Sequence, residues 1–211
     1  MKNLMIIGTG GFAREVLWLV QEMNKANEAA VQVVGFIGPE GKGRLNGFPI
    51  LGDDSWAFQR IDRKVWFVVA LGDPKLRRTL AESYLEQGFR AMHLVHPSVH
   101  LAEDVQLGAG AILCAGVALT TQITVGDFAI INLNATVGHD SVIGAYATLH
   151  PGVNVSGDVI IEENAELGSG AVVLPGLRIG AGAVLGAGAV ATKDLEQGKR
   201  YIGLPAQEIN S

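Results

Sequence analysis

From Leu101 to Ala191 every sixth residue is aliphatic, without a gap. The series runs Leu101, Leu107, Leu113, Leu119, Val125, Ile131, Val137, Ile143, Leu149, Val155, Ile161, Leu167, Val173, Ile179, Leu185 and Ala191. Two residues before each stands a second small or branched residue, from Val99 through Ala135, Ser141 and Ala147 to Ala189. A period of six fits neither an α-helix nor a simple alternating strand. It fits a chain that coils like a triangular prism, three hexads to a coil, with its aliphatic residues stacked inside. Sixteen hexads give about five coils, or roughly 25 Å of prism at the ~4.8 Å strand spacing. The expected fold of this half is a left-handed parallel β-helix. That hand opposes the usual crossover preference, which short strands and Gly-rich corners can tolerate. Its flat outer faces remain available to neighbours, so association is expected.

Gly contributes 28 residues, mostly in the hexads, and their periodic placement reads as tight corners rather than disorder. The net charge of −5, with no block of Lys or Arg, argues against nucleic acid or an anionic membrane as the main partner. Cys114 is the single cysteine, so an internal disulfide is excluded and a reducing compartment is expected. The opening apolar run is too short for a signal peptide and ends in Gly8-Thr9-Gly10-Gly11. No apolar stretch approaches the ~20 residues of a membrane span. A cytoplasmic protein is the expectation.

Residues 1–95 follow another rule. Residues 4–8, 31–37, 65–71 and 91–95 read as strands, and residues 12–27 and 74–87 as helices, the second opened by Pro74. Apolar strands alternating with helices imply a small Rossmann-like α/β unit with a parallel sheet. The step His96-Pro97 ends that pattern. The expected division is an α/β sugar- or nucleotide-sugar-binding domain at 1–95, a β-helix acyltransferase domain at 96–200 and a tail at 201–211.

Several motifs stand around the hexads: Gly8-Thr9-Gly10-Gly11-Phe12-Ala13-Arg14-Glu15, Pro49-Ile50-Leu51-Gly52-Asp53, Leu71-Gly72-Asp73, His96-Pro97-Ser98, Asn132, Gly138-His139-Asp140 and Gly203-Leu204-Pro205-Ala206. In this order the chain resembles the bacterial hexapeptide-repeat sugar acyltransferases. That group includes sialic acid O-acetyltransferases and N-acetyltransferases of nucleotide-linked 4-amino-sugars, and the resemblance covers essentially the whole chain. It implies a homotrimer, acetyl-CoA as cosubstrate, no metal, and direct transfer to a bacterial surface-glycan sugar. The leading expectation is the amino group of a nucleotide-linked 4-amino-4-deoxy sugar. A sialic acid hydroxyl and a non-catalytic β-helix scaffold are the alternatives.

The resemblance makes His139 the general base and Asp140 its assisting carboxylate. Acyl transfer from a thioester needs a group to take the nucleophile's proton, and imidazole suits that task near neutral pH. Neighbours on a strand point to opposite sides, so this pair meets only where a corner bends the chain. Family members carry a second histidine nine residues on, at the thioester. Thr148 holds that place here, and His150 follows two residues later. Asn132 matches an asparagine at the reacting groups, and an internal corner turn is its plainer alternative. Gly157, one coil past His139, and Gly168, Gly186 and Gly188 match positions where the cofactor chain passes, although corners favour Gly anyway. Lys193, Lys199 and Arg200 are candidates for the CoA phosphates.

Gly8, Gly10 and Gly11 fall between the first strand and first helix, where backbone N–H groups favour a pyrophosphate. With Gly72 and Asp73 they form the expected substrate anchor. Nucleotide-sugar members carry aspartates after the second strand, and this chain has Gly38-Pro39-Glu40. That departure leaves the nucleotide open and disfavours a nicotinamide dehydrogenase. A zinc-dependent carbonic anhydrase on the same prism would need a closer histidine pair than His139 and His150.

Overall fold

Sixteen two-residue strands, from His100–Leu101 to Val190–Ala191, recur every six residues. The aliphatic hexad residue is the second residue of each. The computed structural model describes every residue except Met1, 27–29, Glu40, Lys42, Asn210 and Ser211, so Asn27 and Glu40 of the sequence reading lie outside the described residues. The chain forms two units, Met1–Pro97 and Ser98–Ser211.

In the second unit each strand pairs in parallel with the strand 18 residues on, as in Ala118↔Thr136 and Thr136↔Asn154. Three faces result. The first begins at His100–Leu101, the second at Gln106–Leu107 and the third at Ile112–Leu113. From Leu113 onward every hexad aliphatic is at most 3% exposed. Each coil adds a layer of such side chains, so the prism axis is a dry core. This is a left-handed parallel β-helix.

The corners depart from the sequence expectation. Fourteen successive corner residues, every sixth from Gly110 to Gly188, have positive φ, yet half of them are not glycine. Gln122, Phe128, Asn134, Asp140, Tyr146, Asp158 and Asn164 take the left-handed conformation that disfavours a Cβ. Asn and Asp tolerate it through local hydrogen bonding. Phe128 and Tyr146 are held instead by packing, with rings stacked at 5.5 Å and 4° and both side chains buried. Beyond the hexads, in the segment expected to be a tail, residues 201–209 carry further strands. Arg200–Ile202 pairs in parallel with the third face, and Gln207–Ile209 returns antiparallel to it.

The first unit comprises β1 (Lys2–Ile7), α1 (Gly11–Lys25), β2 (Val31–Ile37), β3 (Gly43–Leu45), β4 (Phe48–Gly52), α2 (Asp54–Arg60), β5 (Trp66–Val69), α3 (Pro74–Glu86) and β6 (Arg90–Ala91). The sheet order is β3-β4-β2-β1-β5-β6, parallel except for the β3–β4 hairpin. A short strand, Leu94–Val95, follows after a break, so the expected strand at 91–95 is two pieces. The order places the carboxyl ends of β1, β2, β4 and β5 side by side, where open α/β sheets bind ligands. The hairpin turns at Asn46-Gly47, both with positive φ, as a tight two-residue turn requires. It brings β4 in beside β2, and the loop after β4 then joins those carboxyl ends.

Candidate active site

His139 follows the first-face strand Thr136–Val137, at the corner leading to Val142–Ile143 on the second face. Asp140 has φ +59. That left-handed turn places both side chains on one side of the chain, and His139 Nδ1 lies 2.7 Å from Asp140 Oδ2. The pair is open to solvent, at 62% and 51% exposure. An Nδ1–H donated to the carboxylate leaves Nε2 as the nitrogen that accepts a proton.

The imidazole lies across Gly157 in the next coil. A Cβ on Gly157 would meet His139 Nε2 at 2.6 Å and Cε1 at 2.7 Å. Gly157 therefore has a role without any cofactor: it leaves room for the ring. Beneath this corner Ser141 is fully buried. Its hydroxyl accepts from the Val159 N–H at 3.2 Å, and its proton reaches the carbonyl of Ser156 (3.2 Å) or of His139 (3.3 Å). It thus ties the His139 turn to the coil carrying Gly157. Ser141 was missed as a functional candidate, and its signal was plain: it is the only polar residue in the inner series that begins at Val99.

A second set of candidates occupies a different edge, between the third and first faces. Asn132, His150, Gly168 and Gly186 stand there in one column, each 18 residues from the last. Asn132 Oδ1 accepts from the Leu133 N–H at 2.7 Å, a local turn. His150 Nε2 pairs with Glu166 Oε1 at 2.8 Å, with side-chain exposures of 30% and 36%. A Cβ on Gly168 would meet the Ala187 nitrogen at 2.5 Å, and one on Gly186 would meet Ile202 Cγ2 at 2.8 Å. The chain's own next coil and its terminal strand therefore explain those glycines. Thr148, which holds the place of the family's second histidine, lies on the third face and is 1% exposed in the single chain. Lys199 is paired with Glu208 at 2.8 Å. One chain brings together His139, Asp140 and Gly157, but places Asn132 and His150 one face-width away.

In the first unit a cavity of about 390 Å³ opens over the sheet's carboxyl ends. Gly8, Thr9 and Gly10 line it after β1, Gly38 and Pro39 after β2, Asp53 and Asp54 after β4, and Leu71, Leu76 and Leu80 from β5 and α3. Gly10 is the N-cap of α1 and makes no side-chain capping hydrogen bond, so this helix N-terminus opens on the cavity without a carboxylate or hydroxyl cap from its own N-cap residue. At Gly8, with φ +116, a Cβ would meet the Ala70 carbonyl oxygen at 3.0 Å.

Three expected anchors do not line the cavity. Gly11 starts α1 outside it. The Gly72 carbonyl accepts from the buried Arg77 at 2.9 Å. Asp73 Oδ1 caps α3 by accepting the Leu76 N–H at 2.8 Å. In the opposite sense, Asp53 and Asp54 bring two carboxylates to the cavity from the loop after β4. Asp53 caps α2 by accepting the Trp56 N–H at 2.8 Å. Asp54 Oδ1 accepts from the Tyr84 hydroxyl at 2.8 Å. Burial first, and the hydrogen bond to Asp54 second, push the Tyr84 phenol above its ordinary range. No helix among the described residues is long and apolar enough to cross a membrane.

Comparison with known proteins agrees with this layout. A profile of the PglD N-terminal domain matches residues 3–84, and one of the bacterial transferase hexapeptide (six repeats) matches residues 158–193. The structure of PerB from Caulobacter crescentus in complex with CoA and GDP-perosamine superposes with a TM-score of 0.91. It shares 34% identity, over 100% of this chain and 98% of that one. The acetyltransferase domain of PglB from Neisseria gonorrhoeae FA1090, in complex with acetyl coenzyme A, gives a TM-score of 0.91 at 28% identity over 99% of both chains. A GDP-perosamine N-acetyltransferase of Escherichia coli O157:H7 is 34% identical over 124 residues. That match covers 58% of this chain and only 56% of that curated relative.

Proposed function

Because this chain belongs to the bacterial hexapeptide-repeat sugar acyltransferases, we propose that it transfers an acetyl group from acetyl-CoA to the amino group of a nucleotide-linked 4-amino-4-deoxy sugar. The observation that carries this is the exposed His139–Asp140 pair at 2.7 Å on a prism corner. The sugar's neutral amine attacks the thioester carbonyl carbon and forms the new C–N bond. Its proton passes to His139 Nε2 while Asp140 holds the opposite nitrogen. The C–S bond then breaks, and the departing thiolate of CoA takes up that proton. Assistance of this kind contributes ~10²–10⁴-fold in rate.

The cavity of the first unit suits the nucleotide: an uncapped helix N-terminus for the pyrophosphate and apolar walls for a flat ring. The match to PerB in complex with GDP-perosamine supports a GDP-linked acceptor. A homotrimer belongs to the same reading. His139 and the Asn132–His150 column lie on different edges, so a site that uses both is completed by the edge of a second copy. Acetyl-CoA and nucleotide sugars are both cytoplasmic metabolites, and the reading puts the enzyme with them.

The test is thiol release from acetyl-CoA against GDP-, UDP- and dTDP-linked 4-amino-sugars and free sialic acids. Turnover of a nucleotide-linked amino-sugar, with sialic acids inert, is expected. Turnover confined to sialic acids would replace N-acetylation by O-acetylation, and binding of acetyl-CoA without turnover of any acceptor would count for a scaffold.

A further inference from the structure

We infer that Asp54, pinned by Tyr84, reads the base of the nucleotide and selects guanine. The inference rests on the nucleotide-sugar reading above. Among the described residues, Asp54 is the one cavity-lining carboxylate not committed to a helix cap, since Asp53 caps the N-terminus of α2. Its Oδ1 is fixed by the hydroxyl of Tyr84, 2.8 Å away. Tyr84 is itself fully buried among Phe58, Phe67 and Phe89, with ring centroids at 4.8, 5.3 and 5.5 Å. The carboxylate therefore faces the cavity with a set orientation instead of rotating freely.

An ionised carboxylate only accepts hydrogen bonds, and it does so side by side through two oxygens. Guanine is the nucleobase whose pairing edge offers two adjacent donors, N1–H and the N2 amino group. Uracil and thymine offer one N–H flanked by two carbonyls, which a carboxylate repels. Adenine and cytosine set a ring-nitrogen lone pair beside their amino group. With the pyrophosphate at the α1 N-terminus, the base lies over the sheet toward Gly38 and Pro39, between Asp54 and the apolar side chains of Leu71, Leu76 and Leu80. The same arrangement explains why Gly38-Pro39 carries no carboxylate: β4 supplies it from the next strand, and a small, flat surface after β2 leaves room for the ring.

Calorimetric titration of the full-length protein with GDP, IDP and UDP tests this. Inosine lacks only the N2 amino group, so IDP should bind about 10-fold or more weakly than GDP, the loss of one hydrogen bond to a charged acceptor, and UDP more weakly still. In Asp54→Asn the GDP-to-IDP gap should close. In Tyr84→Phe it should narrow, since Phe keeps the ring packing and removes only the hydroxyl that orients Asp54. Equal affinities for GDP and IDP in the wild-type protein would overturn the assignment, and that comparison needs no variant to fold. A gap that persists in Asp54→Asn would move base reading to another residue. Both outcomes leave acetyl transfer to nucleotide-linked amino-sugars standing. Absence of binding by every nucleoside diphosphate, together with absence of turnover, would remove both readings.

Discussion

At the scale of single residues, the proposed catalytic corner depends on Gly157. Gly157 lies one coil beyond His139, and its φ is outside the left-handed region, so its backbone accepts a Cβ. What refuses one is the imidazole, 2.6 Å from where that Cβ would stand. Gly157→Ala should therefore fold with an unchanged melting temperature yet displace the His139 ring, lowering kcat by ~10²-fold or more, the share a misplaced base forfeits. Melting and steady-state rates on one preparation check this. Tyr84 gives a pH signature in the other unit. Its folded-state pKa is raised, so its contribution to stability is complete below the unfolded value of ~10 and is lost as pH rises above it. Denaturant unfolding of the wild-type protein and Tyr84→Phe from pH 8 to above 10 should show the wild-type losing the more stability at the alkaline end.

The pairing of His139 with Asp140 was expected from the resemblance on condition that a corner bends the chain between them, and the structure has that corner at Asp140. The corner was legible as well: the left-handed position recurs every sixth residue from Gly110 and falls on Asp140. Ser141 was legible and went unread. Thr148 was singled out only because it holds the place of the family's second histidine, and nine places past His139 carry the chain onto the third face, where its side chain is buried.

At the scale of elements, hydrophobic periodicity specified the prism almost completely. Each of the sixteen hexad positions is the second residue of a strand, the register that buries the aliphatic side chains from Leu113 onward. The α/β unit was less legible where its elements are short. The β3–β4 hairpin was missed despite its Asn46-Gly47 turn, and with it the route by which Asp53 and Asp54 reach the cavity. Asp73 was expected as a substrate ligand because Leu71-Gly72-Asp73 is one of the motifs that carry the resemblance, but it also stands just before Pro74, where a helix cap belongs. Asp73→Ala should cost about 0.5–2 kcal/mol of stability and leave the KM for the nucleotide sugar unchanged. A raised KM at unaltered stability would return Asp73 to the site.

At the scale of the whole molecule, one chain holds His139 on one edge and the Asn132–His150 column on another. A flat-faced prism of this kind is expected to assemble, and light scattering should give three times the 22.2 kDa of the chain. A monomer active at assay concentration would contradict a site completed by a second copy. The central claim is that His139 takes the proton of the attacking amine. Its most direct test is the steady-state rate of acetyl transfer to a GDP-linked 4-amino-sugar by the wild-type protein and His139→Ala, with KM and kcat separated. The account predicts a kcat lowered by ~10²–10⁴-fold and a nearly unchanged KM for the sugar, since the nucleotide is held in the other unit. Equal kcat values for the two proteins would contradict it.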